Sequence, residues 1–581
     1  MSNCIRTAST LQSDSCTTRL RRRWNGRATL LGSSLLCACA LFAPTGTGPS
    51  PWPVATASTT SASLTDENKQ FSALVDGFLS ELGLHYPSET TELGLHSHDQ
   101  DLEDLTPSGV AKTLAWLADW DRRMASIDAT KLGEPERFDL TLLRHSLRSR
   151  RFVLTDLPEY RRRPIVYSGL ASRSVNAILK RNYAPLDVRL KAVVARLRKA
   201  SAIIRQAPQN LDQLSVASVD VTLRTLPATV DFFRVDVIKA FAEVKDPELQ
   251  KQLRQACEET ASALTAFGEF LKKDGRARAN PSFALGEDLF RRALFSEEMI
   301  DTPIPTLLKQ AEAELSRLRA EFQKTANLID SKRSAQDTQT VVSQDHPKPA
   351  ELIDFTASRL AQQRKFLIDH SIITVPSEVL PLVRETPPFM RATTLASMDT
   401  PGPYEKASEA YYYITLPEPT WKPSEIEDFL RGAHNRPLID VVAIHEAFPG
   451  HYVQYLWLGR LSKVKQLAQV MSNAEGWAHY TEQMMMEEGY SGGDPKVRLM
   501  QLQDALCRRH PHALSWHDPS TGGGVLPQRG PANEDCRRTR SASRDSGSTL
   551  CRLHVRQAPD PQATRGLQST AGLGLQPAKV P

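Results

Sequence analysis

Between residues 304 and 322 apolar side chains recur at three- and four-residue steps: Ile304, Leu307, Leu308, Ala311, Leu315, Leu318 and Phe322. That spacing lays them along one face of an α-helix, started by Thr302 and Pro303 at cap and first-turn positions. The same periodicity predicts further helices at 67–82, 111–124, 137–151, 188–204, 247–271, 349–370 and 474–488. Strand signals are few. The best is 410–416, with three consecutive tyrosines between Pro403 and Pro417, and it reads as an edge or short hairpin strand. With no internal repeat in view, the pattern predicts a mainly α fold: one large helical domain over 64–506 with a few short strands.

Both ends break the pattern. A basic stretch at 19–27 precedes an apolar run at 28–43, and a Pro-, Ser-, Thr- and Ala-rich segment follows at 46–63. This order is that of a signal peptide and a linker, so 1–63 is set apart from the folded body. The run is too short and too polar for a stable membrane span. Ala55, Ala57 and Ser58 offer a cleavage site, whereas Leu36-Cys37-Ala38-Cys39 is a poor lipoprotein signal because it would truncate the apolar run. The expectation is a periplasmic or secreted protein. After Leu506, Ile, Phe, Tyr and Met do not occur again. Residues 507–581 read either as a natural disordered tail or as the product of a shifted reading frame. The second reading is favoured, because the apolar helix at 497–506 stops in mid-period without a capping residue.

The formal charge of +5 raises the question of a nucleic-acid partner. It sits in the ends: 1–64 hold six Arg against one Asp, and 507–581 hold ten Arg and one Lys against five acids. The body between them is mildly acidic, which argues against nucleic acid. Seven of the eight cysteines also lie in the ends, leaving Cys257 alone in the body. One cysteine builds neither a disulfide framework nor a Cys-based zinc site.

Two segments carry candidate chemistry. In Asp440-Val-Val-Ala-Ile-His-Glu-Ala-Phe-Pro-Gly-His451 a His followed by Glu lies on an apolar helix, the core of a site in which an imidazole binds zinc and the adjacent carboxylate activates water. The usual second His stands four residues on, where this chain has Pro449. His445 and His451, six residues apart, converge only if Pro449-Gly450 breaks the helix. In Glu475-Gly-Trp-Ala-His-Tyr-Thr-Glu482, Glu475, His479 and Glu482 fall at steps of four and three and share one helix face. A carboxylate from a second helix is how a zincin completes a His-His-Glu set. Gly476 is expected to permit a close helix approach, and Tyr480 to stand next to the site. Either motif alone is more often a structural coincidence or a solvated face. Their pairing, after the apolar approach Val441–Ile444 that buries the first, favours a metal, since burying several imidazoles and carboxylates without one is costly.

These motifs, HEAFPGH followed by Tyr452-Val-Gln454 and EGWAHYTE some thirty residues later, resemble the paired signature of the bacterial domain of unknown function 885 family, a group placed with zincin-like metallopeptidases. Weaker similarities lie at 87–96, 102–105, 286–290, 386–389 and 411–413. The resemblance implies a zincin-like helical domain with Zn(2+) held by His445, His451 and Glu475 and with Glu446 as general base. It further implies an exported hydrolase that acts on peptide substrates. The alternative is a catalytically inactive periplasmic metal-binding or scaffolding protein. A metal-independent structural protein is a third reading. The chain departs from the family after Leu506, where nothing resembles the R-Y-x-x-x-P-G-Q-A-x-x-Y segment of its members, and that puts catalysis by this chain in doubt.

Overall fold

Helices form where the apolar periodicity places them, and their starts have local causes. In the computed structural model, which describes residues 66–508 apart from 406–408 and 469, α1 spans Asp66–His85, α2 Pro107–Ala125 and α3 Glu134–Thr155. The Thr106 side chain caps α2 by accepting from the Gly109 N–H, with Pro107 in the first turn. The principal helices that follow are α4 (Ile165–Leu179), α5 (Leu186–Asn210), α6 (Val216–Asp231), α7 (Pro247–Phe270) and α8 (Ile304–Ile329). Asp246 caps α7 by accepting from the N–H groups of Glu248 and Leu249. Pro303, rather than Thr302, is the cap residue of α8. The expectations for signal cleavage and for the tail fall outside the described residues.

The largest core lies among α4 to α7, where Val175, Ile178, Val193, Leu197, Phe233, Leu253 and Leu264 are fully buried. Each such side chain contributes roughly 1.5–3 kcal/mol, so this bundle is a rigid base for the rest. Cys257 sits inside it, and burial pushes its thiol up to about 12. It is a packing residue rather than a reactive one.

A second core joins α9 (Leu352–Asp369) to a small sheet of β1 (Leu382–Glu385), β2 (Ala396–Asp399) and β3 (Tyr411–Ile414). The strand expected at 410–416 is present but central, not an edge or hairpin strand. β3 pairs parallel with β1, Leu382 opposite Tyr411, and antiparallel with β2, Ala396 opposite Ile414. Its neighbours gave no signal because LVRE and ASMD are short and largely exposed or half-buried. Tyr412 and Ile414 point into the core against α10 (Arg436–Glu446), the helix of the His-Glu motif.

The remaining helices are α11 (His451–Leu458), α12 (Met471–Glu487) and α13 (Pro495–Arg508). The far side of α10, through Leu438 and Val441, packs with Leu318 and Phe322 of α8 and Leu499, Met500 and Leu502 of α13. So α10 is covered on both sides, which explains why its sequence is apolar nearly all round. No described helix is long and apolar enough to cross a membrane.

Candidate functional site

Asn435 starts α10, its side chain accepting from the Leu438 N–H at 3.0 Å, and Pro437 occupies the first turn. Apart from half-buried Val442, the helix is buried from Pro437 to His445. Asp440, the one acid in that run, is held by both Arg359 nitrogens at 2.6 Å and by the Tyr490 hydroxyl at 2.9 Å. Gln363 donates to the Asp440 carbonyl at 2.9 Å. This network fixes α10 against α9 in both position and rotation.

The helix ends after Glu446. The Phe448–Pro449 peptide is cis, and the Gly450 N–H donates back to the Ile444 carbonyl at 2.9 Å. The chain here runs so close over the helix end that a Cβ on Gly450 would lie 1.7 Å from the His445 carbonyl oxygen. Only glycine fits. Helix α11 then begins at His451, and the six-residue step that would point away on one continuous helix instead brings the rings together. Their centroids are 4.9 Å apart and nearly perpendicular, at 86°.

Glu475, on α12, supplies the third group. Its Oε2 is 3.5 Å from His445 Nε2 and its Oε1 3.8 Å from His451 Nε2. One ligand atom from each of the three lies within 4.8 Å of the others. Ligand bonds near 2.0–2.2 Å put the edge of a tetrahedron around zinc at about 3.4 Å. The donor types are those that zinc takes, and each imidazole stands within about 0.5 Å of that edge length from one Glu475 oxygen, Oε2 for His445 and Oε1 for His451. His445 is buried, whereas Glu475 keeps a fifth of its side-chain surface, so the set is open on one side. The Trp477 indole N–H donates to the Pro449 and Gly450 carbonyls at 2.9 and 3.2 Å. That bond ties α12 to the turn between the histidines.

Glu446 is half-buried at the end of α10. Its carboxylate is within electrostatic reach of Tyr412: burial first, and then the Glu446 charge, push the Tyr412 hydroxyl well above its usual pKa. That hydroxyl stays protonated at neutral pH.

The face shared by Glu475, His479 and Glu482 is divided by the His445 ring. Glu475 meets Nε2, whereas Glu482 Oε1 lies 2.8 Å from His445 Nδ1 and 2.8 Å from His479 Nδ1. Two turns of α12 separate the two carboxylates, about 10 Å of rise, enough to bracket an imidazole. Asp504 of α13 lies 3.9 Å from His479 Nδ1. One expectation fails: Gly476 has nothing within 4 Å of the place its Cβ would take, so it permits no close approach. Tyr480 is 43% exposed, with its ring centroid 6.1 Å from that of Trp477. Asp504, Tyr412, Trp477 and the Arg359–Asp440 pair were not singled out in the sequence. Only Asp440, a lone acid in an apolar run, carried a readable sign of a buried ion pair.

No curated protein matches the chain. Several solved structures share its fold, two of them as follows. One, provisionally described as a lipoprotein of unknown function from Shewanella oneidensis, is 23% identical with a TM-score of 0.66, covering 87% of this chain and 95% of that one. The other, from Colwellia psychrerythraea and provisionally described as a lipoprotein, is 15% identical with a TM-score of 0.60, covering 84% and 91%. The family model described as "Bacterial protein of unknown function (DUF885)" matches residues 87–510, which span both motifs. The chain belongs to the DUF885 family.

Proposed function

We propose that this protein is an exported zinc-dependent hydrolase that cleaves peptide bonds, with His445, His451 and Glu475 holding the metal and Glu446 acting as general base. The observation that carries the reading is the meeting of two imidazoles and a carboxylate, from three helices, at separations suited to tetrahedral zinc. A zinc ion supplies Lewis acidity, which polarises a carbonyl and lowers the pKa of water. The chain's own residues do the rest. Glu446 follows a ligand directly in sequence and is half-buried at the end of α10, which supports its role as the base that takes a proton from the attacking water and returns it to the leaving amine. The Trp477 bond to the turn and the Arg359–Asp440 pair hold the three donors in register. Export is supported by the basic and apolar order of 19–43, and by the two fold relatives being provisionally described as lipoproteins.

Glu446→Gln separates ligand from base. The variant is expected to keep about one zinc per chain while peptide hydrolysis falls by at least about 100-fold. Unchanged turnover in that variant would remove Glu446 from the mechanism. Stoichiometric zinc with no turnover by the wild type against a peptide library would instead make the protein a metal-binding one without hydrolase activity.

A further inference from the structure

Behind the three donors lies a polar group that the metal set does not use. Glu482 is completely buried, and its Oε1 is 2.8 Å from Nδ1 of both His445 and His479. Its Oε2 has no hydrogen-bond partner among the described residues. A buried carboxylate with an orphan oxygen is destabilising in itself, so packing gives no reason for it. The geometry gives one. An ionised carboxylate only accepts hydrogen bonds, so the bond between Oε1 and His445 Nδ1 requires a proton on that nitrogen. With Nδ1 of His445 protonated and pointing at Glu482, the lone pair of a neutral ring lies on Nε2, the atom that faces Glu475 and His451.

We infer that Glu482 is a positioning residue: it fixes the tautomer and ring orientation of His445 so that Nε2 is presented to the metal. The inference rests on the proposed zinc site. His479 holds Glu482 in place from its other side through the second 2.8 Å contact, and the two rings pack at 65° with centroids 4.8 Å apart. Asp504 lies 3.9 Å from His479 and so brings α13 into the same chain of contacts. None of this demands contact between Glu482 and substrate.

The test compares the full chain with its Glu482→Gln and Glu482→Ala variants. Gln is nearly isosteric, so a space-filling role for Glu482 leaves the Gln variant unchanged. A positioning role does not, because a neutral amide oxygen accepts more weakly than a carboxylate oxygen, and the amide turned the other way sets an NH2 donor against the His445 Nδ1–H. Zinc affinity, measured by competition with a chromophoric chelator, is expected to fall about 10- to 100-fold in the Gln variant. In the metal-free, 15N-histidine-labelled wild type, a downfield Nδ1–H resonance is expected that His445→Gln removes and Glu482→Gln shifts or abolishes. Zinc affinity within about twofold of wild type in Glu482→Gln overturns the proposal, as does an unmoved Nδ1–H resonance. Because that resonance is read without metal, it judges Glu482 even if the wild type binds no zinc, a result that would defeat the zinc reading alone.

Discussion

Gly450→Ala tests whether the broken helix is what brings the two histidines together. An added Cβ would sit 1.7 Å from the His445 carbonyl oxygen, 2.4 Å from its carbonyl carbon and 2.4 Å from the Ile444 oxygen. All three are backbone atoms at the end of a helix packed on both sides, so no side-chain rotation relieves the overlap. Reaching ordinary contact requires the turn to open by roughly 1.5 Å or more. Zinc sites tolerate deviations of about 0.2 Å in ligand distance. The displacement of His451 therefore exceeds that tolerance several-fold, and zinc affinity is expected to fall by at least about 100-fold. Overpacking of this kind typically costs about 1–3 kcal/mol, and the lost Gly450 bond to Ile444 adds about 1 kcal/mol. A stability loss near 3 kcal/mol is expected in urea unfolding of the metal-free chain. Gly476→Ala, with nothing within 4 Å of its Cβ position, is the internal control and is expected to stabilise α12 by about 0.5–1 kcal/mol. If Gly450→Ala binds zinc as tightly as wild type and unfolds within about 1 kcal/mol of it, the close approach does not control the site.

Two further predictions concern pH. Burial lowers the pKa of His434 from its usual 6.5 to about 4, partly countered by its 2.8 Å bond to the Thr415 carbonyl. Because the unfolded chain takes up this proton first, stability is expected to fall as pH drops from about 6.5 to about 4, by about 3 kcal/mol in all. Urea midpoints across that range should change less in His434→Gln, and an identical slope in the two would exclude His434 as a cause. His96 behaves in the opposite sense. Burial opposes its charge, but Asp99 and Glu405, at 3.1 and 3.0 Å, outweigh burial and raise its pKa. Its stabilising contribution is full below about pH 6.5 and is lost as pH rises through the raised value. His96→Gln should abolish that alkaline decline in thermal unfolding, and a decline that persists unaltered would refute the assignment.

What the sequence made legible follows from where its signals are local. Helical periodicity needs only neighbouring residues, so α1, α5, α7, α8 and α12 stand where it places them. Val442 and Leu438 look alike in sequence, yet only the packing of α8 and α13 shows that α10 is covered on its far side. β1 and β2 escaped because a four-residue strand with one buried side chain, or none, has no period to detect. At the site, the Pro449-Gly450 break was readable from backbone chemistry alone. The division of labour between Glu475 and Glu482 was not, because both lie on one face and only the insertion of the His445 ring between them decides which atom each meets. Asp504 could not be tied to His479 at all. That pairing depends on α13 returning across α12, a long-range event with no local signature.

The central claim is that His445, His451 and Glu475 form a zinc site, and metal content tests it most directly. Purified chain equilibrated with excess zinc and then dialysed should retain about one zinc per chain by elemental analysis. His445→Ala, measured side by side and shown by circular dichroism to keep its helical content, should retain almost none. Equal zinc in the two proteins, or no retained zinc in the wild type, would contradict the account.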